Sequence, residues 1–415
     1  MIKAIKGTRD ILPPESALWE RVEATAREIF ALYGFSEIRT PIFEQTELFA
    51  RGVGQDTDIV SKEMYTFEDR DDRSLTLRPE GTASVVRAYL EHHLHQDPGI
   101  LKLYYLGPMF RRERPQKGRY RQFHQVGAEV LGSDHPAIEA EVIEMLQLYL
   151  DRLGVGDTQL LVNSIGCPNC RPAFLTELKA ALQEMKPELC PDCQRRADTN
   201  PLRVLDCKVD SCQPLIDRLP AITSFLDEDC RRHFDTFLEY LRQRSLAYRV
   251  VPRLVRGLDY YRRTTFEITS GVLGAQNTVV GGGRYDGLAE ILEGPATPGF
   301  GFALGVERLV LILQERTAPE PARPKVFLAP LGDAAFERAT LLARELRKQG
   351  VCCALDFEQR SLKSALRLAN KLRAEHVLIF GENELASGRY QLKNMSDGSQ
   401  TEVSAEEVLA RLKVS

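Results

Sequence analysis

Residues 106–130 read LGPMFRRERPQKGRYRQFHQVGAEV. Strand-like segments at residues 102–106 and 122–130 flank a loop rich in turn residues and arginine, the pattern of a hairpin. The loop holds six basic residues, Arg111, Arg112, Arg114, Lys117, Arg119 and Arg121, against one acid, Glu113. A period of two along the return strand puts Phe123, Gln125 and Glu129 on one face and Val126, Ala128 and Val130 on the other. Arg111 and Glu113 likewise share a face on the incoming strand. Such a hairpin buries its apolar side and offers an arginine, a carboxylate, an amide and an aromatic ring to a pocket. A hairpin that served only solvation would need no polar stripe beside a phenylalanine.

Upstream, Pro13 and Pro14 precede a stretch in which Leu18, Val22, Ile29 and Leu32 fall on one helical face, with Gly34 placed to stop the helix. The next segment, GFSEIRTP at 34–41, runs into Pro41, which drives Thr40 towards extended geometry and predicts a strand. Downstream, residues 167–235 carry paired cysteines, helical patches and little strand signal, the character of an insertion. LVRGLDYYRR at 254–263 and the strand-like TTFEIT precede TVVGGGRYDGL at 278–288. Its three glycines could cradle a phosphate or let backbone approach a ligand. Neither a Walker A ending nor dinucleotide-loop spacing accompanies them. GFGFALGVERLVLIL at 299–313 sets a glycine-rich strand before an apolar helix, with Arg308 near the junction. A polar linker, QERTAPEPAR, with Pro319, Pro321 and the adjoining Pro324, divides residues 1–318 from 324–415. Beyond it VFLAP, a helix at about 334–349, VCCAL, a helix at about 362–373 and HVLIF alternate as in a small α/β domain.

Composition narrows the classes. A chain of 415 residues exceeds what one core organises, and 43% hydrophobic with 27% charged residues is ordinary for a globular protein. The densest apolar run, LVLIL at 309–313, is far short of the roughly 18 residues needed to cross a bilayer. The first residues lack the apolar core of a secretory signal, so a cytoplasmic protein without membrane contact is expected. A net charge of −4 excludes a globally basic nucleic-acid binder and leaves a local basic patch open. Nine cysteines in such a compartment are reduced thiols or metal ligands. Cys167-x-x-Cys170 and Cys190-x-x-Cys193 are spaced as in a four-cysteine zinc module, with Cys207 and Cys212 close by.

Together these segments resemble bacterial histidyl-tRNA synthetases, which are class II aminoacyl-tRNA synthetases, along essentially the whole chain. GFSEIRTP, GPMFRRERPQKGRYRQFHQVGAE and GFALGVERLV correspond to the three class motifs. LVRGLDYY and GGRYDGL look like the two motifs special to the histidine enzymes, and TLRPEGT at 76–82 is also typical. At Arg112 many relatives carry another residue, often histidine. The resemblance implies an α+β fold: an antiparallel sheet flanked by helices, a helical insertion at about 167–235, and a C-terminal α/β anticodon-binding domain. It implies activation of L-histidine with ATP, accompanied by Mg2+, to histidyl-adenylate, then transfer to the 3′ end of tRNA(His) by a homodimer.

Roles follow residue by residue from the same resemblance. Arg111 would hold the α-phosphate, Arg308 the γ-phosphate and Arg119 the distal phosphates, while Glu113 reads the adenine amino group and Phe123 stacks on its ring. Arg256 resembles the family's extra catalytic arginine, a guanidinium suiting phosphate oxygens because it stays charged and donates in a fork. A neutral imidazole has one donor and one acceptor nitrogen. Glu129 and Tyr261 match the residues that read them, with Tyr260 and Tyr285 beside them. Glu80, Gly81 and Thr82, with Gln125, would hold the α-amino end. Arg114 and Gln116, in the hairpin turn, match the loop with which relatives read the acceptor end of the tRNA. The family's catalysis needs no zinc, so bare structural thiols are expected and no metal is assigned. A non-catalytic relative, the regulatory subunit of ATP phosphoribosyltransferase, lacks the C-terminal domain and parts of the histidine motifs, and both remain here. A threonine or proline synthetase would lack LVRGLDYY with GGRYDGL.

Overall fold

The computed structural model describes residues 2–55, 57–316 and 323–413. It divides into two compact units, Met1–Pro319 and Glu320–Ser415. Pro319 and Pro321 of the linker lie outside the described residues.

Among the described residues the first unit carries strands β1 (Ser36–Glu37), β2 (Phe43–Gln45), β3 (Tyr65–Glu68), β4 (Ser74–Leu77), β5 (Leu101–Phe110), β6 (Gln122–Leu131), β7 (Thr158–Ser164), β8 (Tyr248–Val250), β9 (Arg262–Ser270), β10 (Thr278–Arg284) and β11 (Gly299–Gly305). Eight of them form one sheet in the order β1-β5-β6-β11-β10-β9-β7-β8, antiparallel except at its two outer pairings. Strands β2, β4 and β3 make a separate small sheet.

The hairpin exists as read but is longer, because β5 continues through Gly107 and Pro108 to Phe110. Strand β1 spans only two residues, so beyond Tyr104 the outer side of β5 is an edge, where a proline costs no ladder bond. The expected strand in GFSEIRTP is reduced to those two residues. Arg111 and Glu113 lie just past the end of β5 rather than on it.

One sheet face is apolar. Val126, Ala128 and Val130 of β6, Phe266 and Ile268 of β9, and Phe300, Phe302 and Leu304 of β11 pack beneath the helices Glu15–Leu32, Pro136–Arg152, Glu228–Gln243 and Val306–Arg316. In the first helix the buried set is Leu18, Trp19, Val22, Ala26, Ile29 and Phe30. At about 100° per residue Leu32 points roughly 100° away from the middle of that set. It is 68% exposed, against the sequence expectation. The helix Glu228–Gln243 contributes Phe234, Phe237 and Leu241 to this main core. Cys230 of the same helix packs instead with Cys170 and Leu226, so the helix joins the main core to residues 167–235.

A buried ionic cluster ties this layer to β10. The Arg284 Nε–H donates to Glu139 Oε1 at 2.7 Å, and His233 Nε2 lies 2.7 Å from the same oxygen. Arg284 Nη1 donates to Asp286 Oδ1 and to the Ser133 carbonyl. Arg284 and Glu139 are both fully buried. Burial alone would raise the Glu139 pKa, but Arg284 and His233 outweigh it and hold the group down at about 2.

The second unit holds β12 (Val326–Pro330), β13 (Cys353–Leu355), β14 (His376–Phe380), β15 (Arg389–Asn394) and β16 (Gln400–Ser404), in the order β13-β12-β14-β15-β16. The first three are parallel and joined through helices Asp333–Lys348 and Leu362–Lys371. VCCAL is a strand only from Cys353 on. The antiparallel β15 and β16 and the final helix Ala405–Leu412 had no counterpart in the sequence reading. That helix starts at a reciprocal cap, Ser404 Oγ accepting from the Glu407 N–H while Glu407 accepts from the Ser404 N–H.

Replacing Glu139 by glutamine removes the fully buried one of the two carboxylates that neutralise Arg284 and leaves only Asp286. Breaking such a pair costs about 3–5 kcal/mol. Glu139→Gln should move the urea midpoint of the first unit down accordingly. In the parent, this contribution is present above the ordinary carboxylate pKa of 4.5 and is lost as pH falls towards 2, so the two proteins should converge in acid.

Candidate active site

Opposite the apolar face, β10 and β11 present almost no side chains. The residues of β11 that alternate with Phe300, Phe302 and Leu304 are Gly299, Gly301, Ala303 and Gly305. In β10 they include Gly281 and Gly283. The glycine run is thus a strand and not a phosphate-cradling loop. A Cβ on Gly281 would collide with the Arg256 guanidinium, one on Gly301 with Glu129 Oε2, and one on Gly299 with the Tyr285 ring. Gly81 and Gly127 likewise leave room for the Tyr105 ring. The missing side chains are the volume that the functional ones fill.

Above this floor lies a cleft of about 370 Å³. Four arginines line it, Arg111, Arg119, Arg256 and Arg308. Arg111 donates from Nε to the Pro79 carbonyl at 2.9 Å, and its guanidinium lies 5.4 Å from the centre of the Phe123 ring. Arg256 is paired through Nη1 with Glu267, whose other oxygen accepts from Thr278 Oγ1 at 2.8 Å. Arg308, in the first turn of the helix after β11, donates from Nη1 to the Thr278 carbonyl at 2.6 Å. Glu113 accepts from Arg119 at 3.1 Å. Gln125 shares this wall with Phe123, as the period-two reading requires.

The closed end holds carboxylates. Glu80 sits where the helix Thr82–Glu91 begins and accepts from the Thr82 and Ala83 N–H groups at 2.8 and 2.9 Å. Burial raises its pKa, and those two donors oppose the rise. Tyr260 Oη donates to it at 3.4 Å. Glu129 is fully buried, with Oε1 accepting from Thr82 Oγ1 at 2.7 Å and from Tyr105 Oη at 3.4 Å. Burial, only partly offset by the Thr82 hydroxyl, pushes its pKa up to about 8. Glu129 Oε2, Gln125 Oε1 and the Tyr285 hydroxyl are buried without a hydrogen-bond partner, although Tyr285 faces Glu129. Buried polar atoms left open in this way mark where a polar ligand belongs.

Glu80, Thr82, Tyr260 and Tyr261 therefore meet Arg111, Arg256 and Arg308 in one cleft, while Gly81, Glu129 and Tyr285 stand directly behind its wall. Arg114 and Gln116 are exposed in the hairpin turn and do not line it. The sequence reading missed Glu267, Tyr105, Asp206 and Lys208. Glu267 had a signal, as the lone acid in TTFEIT. So did the floor, since Gly/Phe alternation in GFGF puts bulk on one face only. The two Cys-x-x-Cys pairs do not meet, because each assembles with different partners in the insertion.

The sequence profile described as histidyl-tRNA synthetase matches residues 7–309. The chain belongs to the histidyl-tRNA synthetase family. Residues 325–414 match the profile of an anticodon binding domain. Among curated relatives, histidine–tRNA ligase of Solibacter usitatus is 57% identical over 99% of both chains. That of Koribacter versatilis is 53% identical over 98% of this chain and 95% of its own. The crystal structure of apo Staphylococcus aureus histidyl-tRNA synthetase superposes with a TM-score of 0.83 at 38% identity, each chain fully covered. The synthetase uses ATP to ligate histidine to tRNA, and the regulatory alternative is not favoured. Among the described residues no helix is long and apolar enough to cross a membrane.

The raised pKa of Glu129 has a thermodynamic signature. Its folded value of about 8 exceeds the ordinary 4.5, so the folded chain binds the proton more tightly and loses stability as pH rises from 4.5 through 8. Glu129→Gln removes that penalty. Its melting temperature should exceed the parent's by a margin that widens from pH 5 to pH 9; a margin independent of pH would refute the assignment.

Proposed function

We propose that the cleft joins histidine and ATP with its closed end holding the amino acid and its arginines the phosphates. The observation that carries this is Glu129, a fully buried carboxylate with one open oxygen, set behind a cleft lined by four guanidiniums. Histidine's imidazole would lie between Glu129 and Tyr261, with Tyr260 and Tyr285 closing the aromatic wall. Its α-amino group would reach Glu80, Gly81, Thr82 and Gln125. Rejection of apolar analogues follows, because a pocket built of buried polar groups leaves them unpaired around the wrong ligand.

Arg111, Arg256 and Arg308 would neutralise the charge that develops as the histidine carboxylate attacks the α-phosphorus and pyrophosphate departs. Glu113, Phe123 and Arg119 would hold adenine and the distal phosphates. The 3′-terminal ribose hydroxyl of tRNA(His) then attacks the activated carbonyl, and AMP leaves. Mg2+ would enter with ATP, since among the described residues the clusters of potential metal ligands lie in the insertion and both Glu267 oxygens are engaged.

The homodimer reading is supported by apolar surface on the small sheet. Ile42, Phe43 and Phe67 are each more than two-fifths exposed, with the two rings 6.4 Å apart. A cytoplasmic location goes with the absence of disulfides among nine free cysteines. Residues 1–318 would carry the chemistry, residues 167–235 the insertion, and residues 324–415 the anticodon contacts.

Arg256→Ala should lower histidine-dependent pyrophosphate exchange by about 10²–10³, the usual cost of losing one such donor. Gly281→Ala should do likewise, because its methyl displaces the guanidinium end of Arg256. Near-parental exchange in both would refute the role given to this arginine.

The acceptor end of the tRNA should be read by Arg114 and Gln116, which stand outside the cleft. Their double alanine variant should keep pyrophosphate exchange yet discriminate less between tRNA(His) with and without its extra 5′ guanosine. Equal discrimination by variant and parent would exclude them as its readers.

A further inference from the structure

The insertion gathers seven cysteines and one aspartate into two groups of four. The sulfurs of Cys190, Cys193, Cys207 and Cys212 all lie within 4.8 Å of one another, and those of Cys167, Cys170 and Cys230 lie equally close to a carboxylate oxygen of Asp227. The Sγ–Sγ distance is 3.9 Å for Cys190–Cys207 and 3.6 Å for Cys167–Cys170. A disulfide would need about 2.05 Å. A tetrahedron of sulfurs about 2.3 Å from a central zinc has edges of about 3.8 Å. The two distances bracket that edge.

The backbone around the sulfurs is arranged for thiolates. The Val209 N–H points at Cys207 Sγ at 3.4 Å and the Cys190 N–H at Cys212 Sγ at 3.2 Å. In the other group the Asn169 N–H points at Cys167 Sγ and the Asp227 N–H at Cys170 Sγ, both at 3.3 Å. A neutral thiol accepts weakly, whereas a metal-bound thiolate carries charge that such donors stabilise. Sulfur-rich tetrahedral sets select zinc over magnesium or calcium.

The geometry points to two structural zinc ions in the insertion, one held by Cys190, Cys193, Cys207 and Cys212, the other by Cys167, Cys170, Asp227 and Cys230. This reverses the expectation of bare thiols drawn from the sequence. Each ion pins a wall of the cleft. Cys207 lies between Asp206 and Lys208, which both line it. Cys170 precedes Arg171, whose guanidinium donates to the carbonyls of Tyr261 and Ile165. Between Cys167 and Cys212 the chain has two helices of nine or more residues and otherwise short turns, Arg171–Met185 and Pro191–Thr199. Metal cross-links would tie these short helical elements to one another.

Full-length protein expressed with zinc and passed through desalting should carry two zinc ions per chain by elemental analysis. Cys193→Ser with Cys212→Ser should leave one, and Cys170→Ser with Cys230→Ser should leave one. A parent without zinc, or with iron in its place, overturns both sites. A serine pair that leaves the zinc content unchanged overturns the site to which it belongs. Because a variant could lose metal by misfolding, the parent is also grown with cobalt(II) replacing zinc. Thiolate-to-cobalt charge-transfer absorption is expected, and its absence overturns the proposal.

Discussion

Where β10 and β11 cross beneath the cleft, three layers compete for the same space: the Phe266, Phe300 and Phe302 rings below, the paired backbones between, and Arg256, Glu129 and Tyr285 above. The strands settle this competition by carrying little more than glycine on the upper face, where Ala303 is the one methyl of β11. Close packing tolerates no methyl at Gly281, Gly299 or Gly301, so site and sheet are one construction. The arginine, the carboxylate and the phenol are held because each fills a slot cut to it, and moving any of them would open a void.

That construction also sets the electrostatics. Arg111, Arg256 and Arg308 line the cleft together with the buried Glu80, and the fully buried Glu129 stands behind it. Glu80 is relieved by a helix N-terminus and two N–H donors, whereas Glu129 has only hydroxyls. Two carboxylates a few residues of sheet apart are thereby pushed to different proton affinities by their surroundings. Glu129, pushed up to about 8, is the one with an oxygen to offer a ligand.

Much of this was legible in the sequence, and the reasons are specific. Period-two alternation placed Val126, Ala128 and Val130 in the core and Phe123 and Gln125 on the cleft, since a half-buried strand must segregate its faces. Family motifs brought Arg256 and Arg308 into view, which spacing could not have joined across the fold. What escaped depends on partners distant in sequence. Leu32 was misplaced because the four-residue pattern ignored Trp19, Ala26 and Phe30, which rotate the buried face. Arg284 looked like part of a glycine-rich loop until Glu139, 145 residues away, proved to neutralise it. Cysteine spacing suggested one module, because it cannot tell which of the neighbouring thiols, or that Asp227, would complete each set.

Strand β7 is finished at residue 164, yet both strands that pair with it, β8 and β9, begin only at 248 and 262. During synthesis at about 5–20 residues per second, roughly a hundred residues and about 5–20 s separate β7 from β9. For that interval its backbone donors and acceptors on both sides face solvent, the condition under which strands pair with the wrong chain. The intervening residues gather Phe174, Leu178 and Leu182 into a cluster with Val86, Tyr89 and Leu131, which are already made. The helix Pro136–Arg152, already made, can cover Leu160 and Val162 with Leu146 and Leu150. Chain order thus shelters one face of an unpaired strand until β8 and β9 emerge from the ribosome.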